Sequence, residues 1–129
     1  MGLFDKLFNS ASETLDKKEL HWIPLNSINQ LDDIKDKSST KTQIIFKHST
    51  RCGTSRMVMN QFTKDYCFNE NDFDLYYLDI LNYRDISNEI AKVFEVWHES
   101  PQLLVIKNRV VVAHSSHGQI NGIDLSRFL

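Results

Sequence analysis

Cys52 is the residue of this sequence best suited to covalent chemistry. It follows the apolar run Ile44–Phe46, which predicts a buried strand, and it opens a stretch to Tyr66 whose apolar positions recur every four residues, which predicts a helix. A cysteine at such a junction lies at the positive end of the helix dipole, close to unpaired backbone N–H groups. This setting stabilises the thiolate, which is the nucleophilic form of cysteine. We therefore predict that Cys52 is a reactive thiol.

The residues around Cys52 favour this chemistry. Ser55 lies three residues further on, so its hydroxyl comes round to the same side of the first helical turn and can donate a hydrogen bond to the sulfur. A serine cannot form a disulfide, so the site has one thiol without an adjacent partner. The other polar, cationic or small neighbours are predicted to bind the substrate: Thr50, Arg51, Gly53, Thr54 and Arg56.

Other roles for the two cysteines have less support from the sequence. A packing role for Cys52 conflicts with its polar neighbours, whereas Cys67, between Tyr66 and Phe68, is predicted to pack. Cys67 lies at the far end of the predicted helix, about 20 Å away at ~1.5 Å per residue, too far for a disulfide. Two cysteines so spaced make no zinc site, and we predict no metal. His48 could polarise the thiol, but a hydrogen-bonded histidine at the end of a strand is favoured.

Composition limits the classes of function. The chain of 129 residues is 41% hydrophobic, which predicts one domain over residues 1–129, with residues 1–20 as an N-terminal extension or short helix. A formal charge of −2 gives no basic surface for nucleic acid. No apolar stretch is long enough to span a membrane, and no signal peptide is recognisable. With 2 cysteines there is no disulfide framework, so we expect a cytoplasmic protein with free thiols.

The order of predicted elements indicates an α/β fold. Strands at residues 20–25, 43–48 and 73–81 are separated by helices, which implies parallel pairing. A helix over Asp85–Trp97 leads to two strands, Gln102–Ile106 and Val110–His114, joined by a tight turn and therefore antiparallel. Residues 123–129 are weakly helical. We predict a four-stranded mixed sheet with helices on both faces.

Ser100 and Pro101 stand immediately before the strand that begins at Gln102. In the predicted topology, the start of this strand lies beside the start of the Cys52 helix. A cis peptide bond at this position would present the backbone of Ser100 to an extended substrate that carries sulfur. Ser100 and Pro101 are therefore predicted to bind the substrate.

Three blocks of sequence resemble the monothiol bacilliredoxins of the YtxJ type, within the thioredoxin superfamily. The blocks are Phe46–Ser55, Val96–Gln102 and Val112–His117, and the resemblance extends over nearly the whole chain from Trp22 onward. It implies a thioredoxin-like fold, a cis-proline at Pro101 and Cys52 as the only catalytic thiol. It also implies bacillithiol as the small-thiol co-substrate, with no bound cofactor, and bacillithiolated client proteins as partners.

The resemblance leaves three other functions open. One is glutathione-linked activity of the monothiol glutaredoxin type. Another is carriage of a [2Fe-2S] cluster, as in monothiol glutaredoxins with Cys-Gly-Phe-Ser, from which Thr54 departs. The third is a thioredoxin-fold adaptor in which Cys52 is unreactive. The two-cysteine motif Trp-Cys-Gly-Pro-Cys is absent, so we expect a one-thiol mechanism in which Cys52 carries bacillithiol until a second thiol removes it.

Overall fold

A computed structural model describes residues 19–129 of the chain. The prediction for residues 1–20 therefore falls outside the described residues up to position 18. Five strands form one mixed sheet, in the spatial order β1-β3-β2-β4-β5. Their bounds are β1 Trp22–Pro24, β2 Thr42–His48, β3 Phe73–Asp79, β4 Gln102–Lys107 and β5 Val110–Ser116.

Within residues 19–129, three α-helices connect the first four strands in chain order. They are α1 Gln30–Lys37, α2 Gly53–Asp65 and α3 Arg84–Val93. Two short 3₁₀ helices, His117–Gly122 and Leu125–Phe128, complete the described chain, and the second confirms the weakly helical end. Within residues 19–129, no helix combines the length and apolar composition needed to cross a bilayer.

Strand β2 is buried along its whole length, because helices cover both faces of the sheet. Ile45 packs with Leu31 of α1 and Ile90 of α3 on one face. Phe46 packs with Val58 and Phe62 of α2 on the other. Since side chains alternate along a strand, Lys47 points towards the α3 face and His48 towards the α2 face.

The predicted pairing directions are confirmed, but the predicted number of strands is wrong. β1 and β2 each pair with β3 in parallel, whereas β4 pairs antiparallel with both β2 and β5. The sheet gains its fifth strand because three residues around Ile23 pair with the outer edge of β3. Pro24 is tolerated there because an edge strand does not need every backbone donor.

Helix α3 ends earlier than predicted. Residue 94 is its C-cap, and Glu95 adopts a φ of 56°, which stops the helix. The N–H of Val96 bonds to the carbonyl of Ala91 at 3.3 Å, the long-range bond of a Schellman motif. Trp97 therefore lies in the loop before β4, where the side chain is 91% exposed.

Candidate active site

Cys52 is the N-cap of α2, as the sequence predicts. Its backbone is extended (φ −97°, ψ 121°), and the helix begins at Gly53. The turn before it is closed by a bond from the N–H of Cys52 to the carbonyl of Ser49 at 3.2 Å. The residue is half-buried and its thiol is free. The thiol is therefore fixed at the positive end of a 13-residue helix while remaining accessible to a substrate.

Ser55 does not make the hydrogen bond that the sequence suggests. Its side chain is fully buried, at 0% exposure. The hydroxyl oxygen accepts a bond from the N–H of Ser49 at 3.0 Å and lies 2.6 Å from Nδ1 of His48. Among residues 19–129 these are its only hydrogen-bond partners, so the predicted bond to the sulfur of Cys52 is wrong. The tertiary contact with β2 takes precedence over the contact within the first turn.

His48 is a hydrogen-bonded histidine at the end of a strand, as the favoured interpretation predicts. Its ring packs against Tyr77, with centroids 5.6 Å apart, and against Phe46 at 6.3 Å. Burial lowers the pKa of His48, partly offset by the carboxylate of Asp79 and reinforced by the positive charge of Arg56. The ring therefore favours its neutral form, in which Nδ1 can accept a bond from the hydroxyl of Ser55.

The predicted substrate-binding residues around Cys52 face the solvent. Four of them are exposed side chains, and a Cβ atom added at Gly53 would meet nothing within 4 Å. Arg51 and Arg56 form no salt bridge with any residue of the described chain. Their guanidinium groups are therefore available to an anionic substrate. The exposed side chains are Thr50, Arg51, Thr54 and Arg56.

Ser100 and Pro101 lie at the same end of the sheet as Cys52. The peptide bond between them is cis, as the resemblance implies. Gln102 pairs with Lys47 of β2, so the loop before β4 lies beside the loop that leaves β2. The carbonyl of Pro101 accepts a bond from the N–H of His117 at 3.0 Å. Within residues 19–129, the backbone of Ser100 has no hydrogen-bond partner, which leaves it available to an extended substrate.

Cys67 lies beyond the opposite end of α2. It is exposed, so the prediction of a packing role is wrong. The chain is extended after the helix, and Tyr66 and Phe68 turn inward to stack with ring centroids 5.4 Å apart. Alternation along the extended backbone then directs Cys67 outward. The length of α2 separates the two thiols, which supports the rejection of a disulfide between them.

No metal site is recognisable in the described part of the chain. Residues 19–129 contain no group of three or more His, Cys, Asp or Glu side chains arranged to hold a metal ion. A cavity lies at the other end of the sheet, where Leu20, Tyr66 and Phe68 contribute to its wall, and Cys52 does not line it.

A group of buried polar residues on the other face of the sheet is not predicted from the sequence. Lys47 is 0% exposed, and its Nζ lies 3.3 Å from Nδ1 of His98. The same nitrogen of His98 lies 2.9 Å from the hydroxyl of Ser87. The available signal was a lysine inside an otherwise apolar strand, because lysine is almost never fully buried.

Comparisons with known proteins agree with the fold. Residues 23–125 match the family model described as monothiol bacilliredoxin BrxC. A solved protein assigned provisionally as an oxidoreductase with a thioredoxin fold is 37% identical, with a TM-score of 0.69 over 82% of this chain and 91% of its own.

Two thioredoxins are similar in fold alone. The thioredoxin of Malassezia sympodialis has a TM-score of 0.64 at 16% identity and covers 81% of this chain and 86% of its own. The thioredoxin of Trypanosoma brucei brucei has a TM-score of 0.59 at 12% identity, over 78% and 82%. Together with the family match, the open thiol at the start of α2 and the cis-proline beside it support thiol–disulfide redox chemistry. The chain belongs to the monothiol bacilliredoxin family and has a thioredoxin fold.

Proposed function

We propose that this protein removes bacillithiol from mixed disulfides on client proteins, with Cys52 as the only catalytic thiol. The observation that carries the proposal is the position of Cys52 as the N-cap of α2, half-buried and without an adjacent second thiol. Membership of the monothiol bacilliredoxin family supports bacillithiol as the small thiol. Free cysteines are compatible with work in the reducing cytoplasm.

The first step is an exchange in which one S–S bond breaks and another forms. The Cys52 thiolate attacks the bacillithiol sulfur of the client disulfide, and the client leaves as a thiolate. Cys52 then carries bacillithiol as a mixed disulfide. The helix dipole and the exposed Arg51 and Arg56 stabilise the negative charge before the attack.

A second thiol must complete the cycle, because Ser55 is a buried hydroxyl and cannot displace the captured bacillithiol. Free bacillithiol is the simplest donor. Its thiolate attacks the bacillithiol sulfur of the mixed disulfide. This forms oxidised bacillithiol and releases the Cys52 thiolate. Over the whole cycle, one free bacillithiol reduces the client, the bacillithiol taken from the client leaves as half of oxidised bacillithiol, and Cys52 is regenerated unchanged.

The remaining substrate-binding residues are proposed to hold the two parts of the mixed disulfide. The exposed Thr50, Gly53 and Thr54 border the thiol and face the small-thiol part. Ser100, whose backbone groups are unpaired within the described chain, faces the client part, and Pro101 holds it beside β2.

Intact mass spectrometry tests the proposal directly. We expect Cys67→Ser, which keeps Cys52, to gain one bacillithiol rapidly on treatment with oxidised bacillithiol, and Cys52→Ser, which keeps the exposed Cys67, to gain it much more slowly. With a bacillithiolated client, Cys52→Ser should abolish bacillithiol release while Cys67→Ser retains it. Equal losses in the two variants would refute the one-thiol mechanism.

Parallel samples separate the other functions. Preferential modification by oxidised glutathione would indicate a glutathione-linked enzyme. Iron and visible absorbance in protein purified without oxygen would indicate cluster carriage. Alkylation of Cys52 no faster than that of Cys67 near neutral pH would indicate an unreactive adaptor.

A further inference from the structure

A buried polar cluster anchors the loop between α3 and β4, residues 94–101, to the body of the protein. The Nζ of Lys47 lies 3.3 Å from Nδ1 of His98 and 3.4 Å from the carbonyl of Ser87. The Ser87 hydroxyl lies 2.9 Å from the same nitrogen of His98. The ring of His98 thus connects the loop to both β2 and α3.

A second contact holds the loop at Trp97, one residue before His98. The side-chain amide of Gln102, which is 1% exposed, donates a bond to the carbonyl of Trp97 at 2.8 Å. The Schellman end of α3 sets the direction of the chain before Trp97. The backbone around Trp97 is therefore held by three features, which are the contacts of His98, the bond from Gln102 and the end of α3.

The indole of Trp97 is exposed, although the backbone of the loop is anchored. It is 91% exposed, the highest fraction among the exposed large hydrophobic side chains of the described chain. Tryptophan is usually well buried in a folded protein, because its large ring gains most from leaving water. An indole held outward on a fixed backbone is typical of a binding contact.

The position of Trp97 favours a protein over a small thiol. Lys47 and Gln102 pair across the sheet, and Cys52 and Trp97 each lie five residues beyond them at the same end. The Trp97 loop precedes β4 and the Cys52 turn follows β2, and these two strands are neighbours in the sheet. A specific protein partner covers about 800 Å² on each side of an interface, enough to include both residues.

We propose that Trp97 is a docking contact for the client protein, held outward by the buried cluster of Lys47, Ser87, His98 and Gln102. This inference rests on the proposed function. It assigns the recognition of the client to the loop that ends in Pro101, and the recognition of the small thiol to the residues next to Cys52. The occupant is the folded surface around a client cysteine that carries bacillithiol.

Steady-state kinetics with two substrates tests the docking contact. One substrate is the mixed disulfide of bacillithiol with free cysteine, and the other is a folded, tryptophan-free protein with bacillithiol on one exposed cysteine. We expect Trp97→Ala to lower kcat/KM for the protein about tenfold, mainly through KM, and to leave the small disulfide unchanged. Trp97→Phe should retain most of the activity.

Val110→Ala is the matched control. Val110 is 57% exposed, and it lies beside the β4–β5 turn at the opposite end of the sheet. Its replacement should change neither substrate. An equal loss on both substrates in Trp97→Ala, or no loss on the protein, would overturn the docking role while leaving the proposed function intact.

Fluorescence supplies a readout that does not depend on catalysis. The chain has 2 tryptophans, so Trp22→Phe with Cys52→Ser leaves Trp97 as the only indole in an inactive protein. We expect its emission to shift to shorter wavelength when the bacillithiolated protein is added, but not when bacillithiol is added. No shift at client concentrations above KM would refute docking, even if the wild-type enzyme is active.

The supporting cluster is tested in the same way. Lys47→Met removes the ammonium group and keeps an apolar stem of similar length. It should raise KM for the protein substrate and leave the small disulfide unchanged. In the Trp22→Phe background it should lower the fluorescence anisotropy of Trp97, because a loosened loop lets the indole move more freely. Ser87→Ala, which removes one hydroxyl, gives the same test with less risk to folding. Unchanged KM in both variants would show that the cluster does not position Trp97.

Discussion

Nδ1 of His48 lies 2.6 Å from the hydroxyl oxygen of Ser55, across the turn that carries Cys52. The same oxygen accepts a bond from the N–H of Ser49, whose carbonyl accepts the N–H of Cys52. Three hydrogen bonds thus connect the end of β2 with the start of α2. Ser55 therefore acts on the shape of the thiol-bearing turn, although within the described residues it makes no hydrogen bond to the sulfur.

Ser55→Ala should therefore destabilise the protein and slow catalysis. The change leaves the N–H of Ser49 and a buried ring nitrogen without their partner, which costs about 1–3 kcal/mol. Urea unfolding measures the loss of stability, and single-turnover exchange measures the loss of rate. Ser39→Ala is the matched control, because Ser39 is exposed at the other end of the sheet and its side chain makes no hydrogen bond within residues 19–129. Equal stability of the two variants would contradict this account.

Acid should destabilise the fold through His48 and His98. Burial lowers the pKa of each ring in the folded protein below its ordinary value of 6.5, while the unfolded chain keeps that value. The unfolded state then binds more protons below about pH 6.5, so stability is full above that pH and is lost as pH falls. Urea unfolding at pH 7.5 and pH 5 measures this. His48→Gln should show a smaller difference, and an unchanged one would exclude a contribution from His48.

The buried Lys47 predicts how the stability of the fold changes at alkaline pH. Burial, reinforced by the charge of Arg84, lowers the pKa of its ammonium group from 10.5 to about 8. Between these two values the unfolded state binds more protons, so stability rises with pH from about 8. The gain by pH 10 is on the order of 2 kcal/mol. Lys47→Met should show no such rise.

Measurements for Lys47 should stop near pH 10. Burial raises the pKa values of Tyr66 and Tyr76 to about 12, so their ionisation favours unfolding above pH 10. A wild-type profile that is flat or falling between pH 8 and pH 10, together with an identical profile for Lys47→Met, would contradict the prediction.

Arg51 and Arg56 should attract anionic reagents to Cys52. Both side chains are exposed and unpaired within the described chain, so their field reaches an approaching anion but is screened by salt. We expect Arg56→Gln to slow alkylation of Cys52 by iodoacetate about two- to fivefold at low salt, and to affect iodoacetamide less. The difference should shrink at 0.5 M salt. Arg109→Gln is the control, since Arg109 pairs with Asp36 elsewhere.

Local sequence patterns predicted the thiol-bearing junction well. The helix after Cys52 was predictable because its apolar residues repeat at helical spacing and the polar stretch before Gly53 ends the strand. The hairpin of β4 and β5 was predictable from two apolar runs around a short polar turn, where Asn108 and Arg109 both have positive φ. In these places local preference and tertiary structure agree.

Contacts between distant elements were not predictable. The partner of Ser55 is seven residues away on β2, and a helical spacing rule considers only the turn to which the serine belongs. The end of α3 depends on the left-handed conformation of Glu95, for which glutamate gives no signal. Consequently Trp97 was predicted near the end of a helix, although it lies on an exposed loop.

The burial of Ser55 also limits how this enzyme could acquire a second cysteine. A thiol at position 55 would have to replace a hydroxyl that serves both a backbone N–H and a histidine ring at 3.0 and 2.6 Å, and sulfur is larger and a weaker hydrogen-bond acceptor. An evolutionary route to a dithiol enzyme would therefore require a change at His48 before, or together with, the change at Ser55. The single mutation would loosen the turn before it supplied a usable resolving thiol.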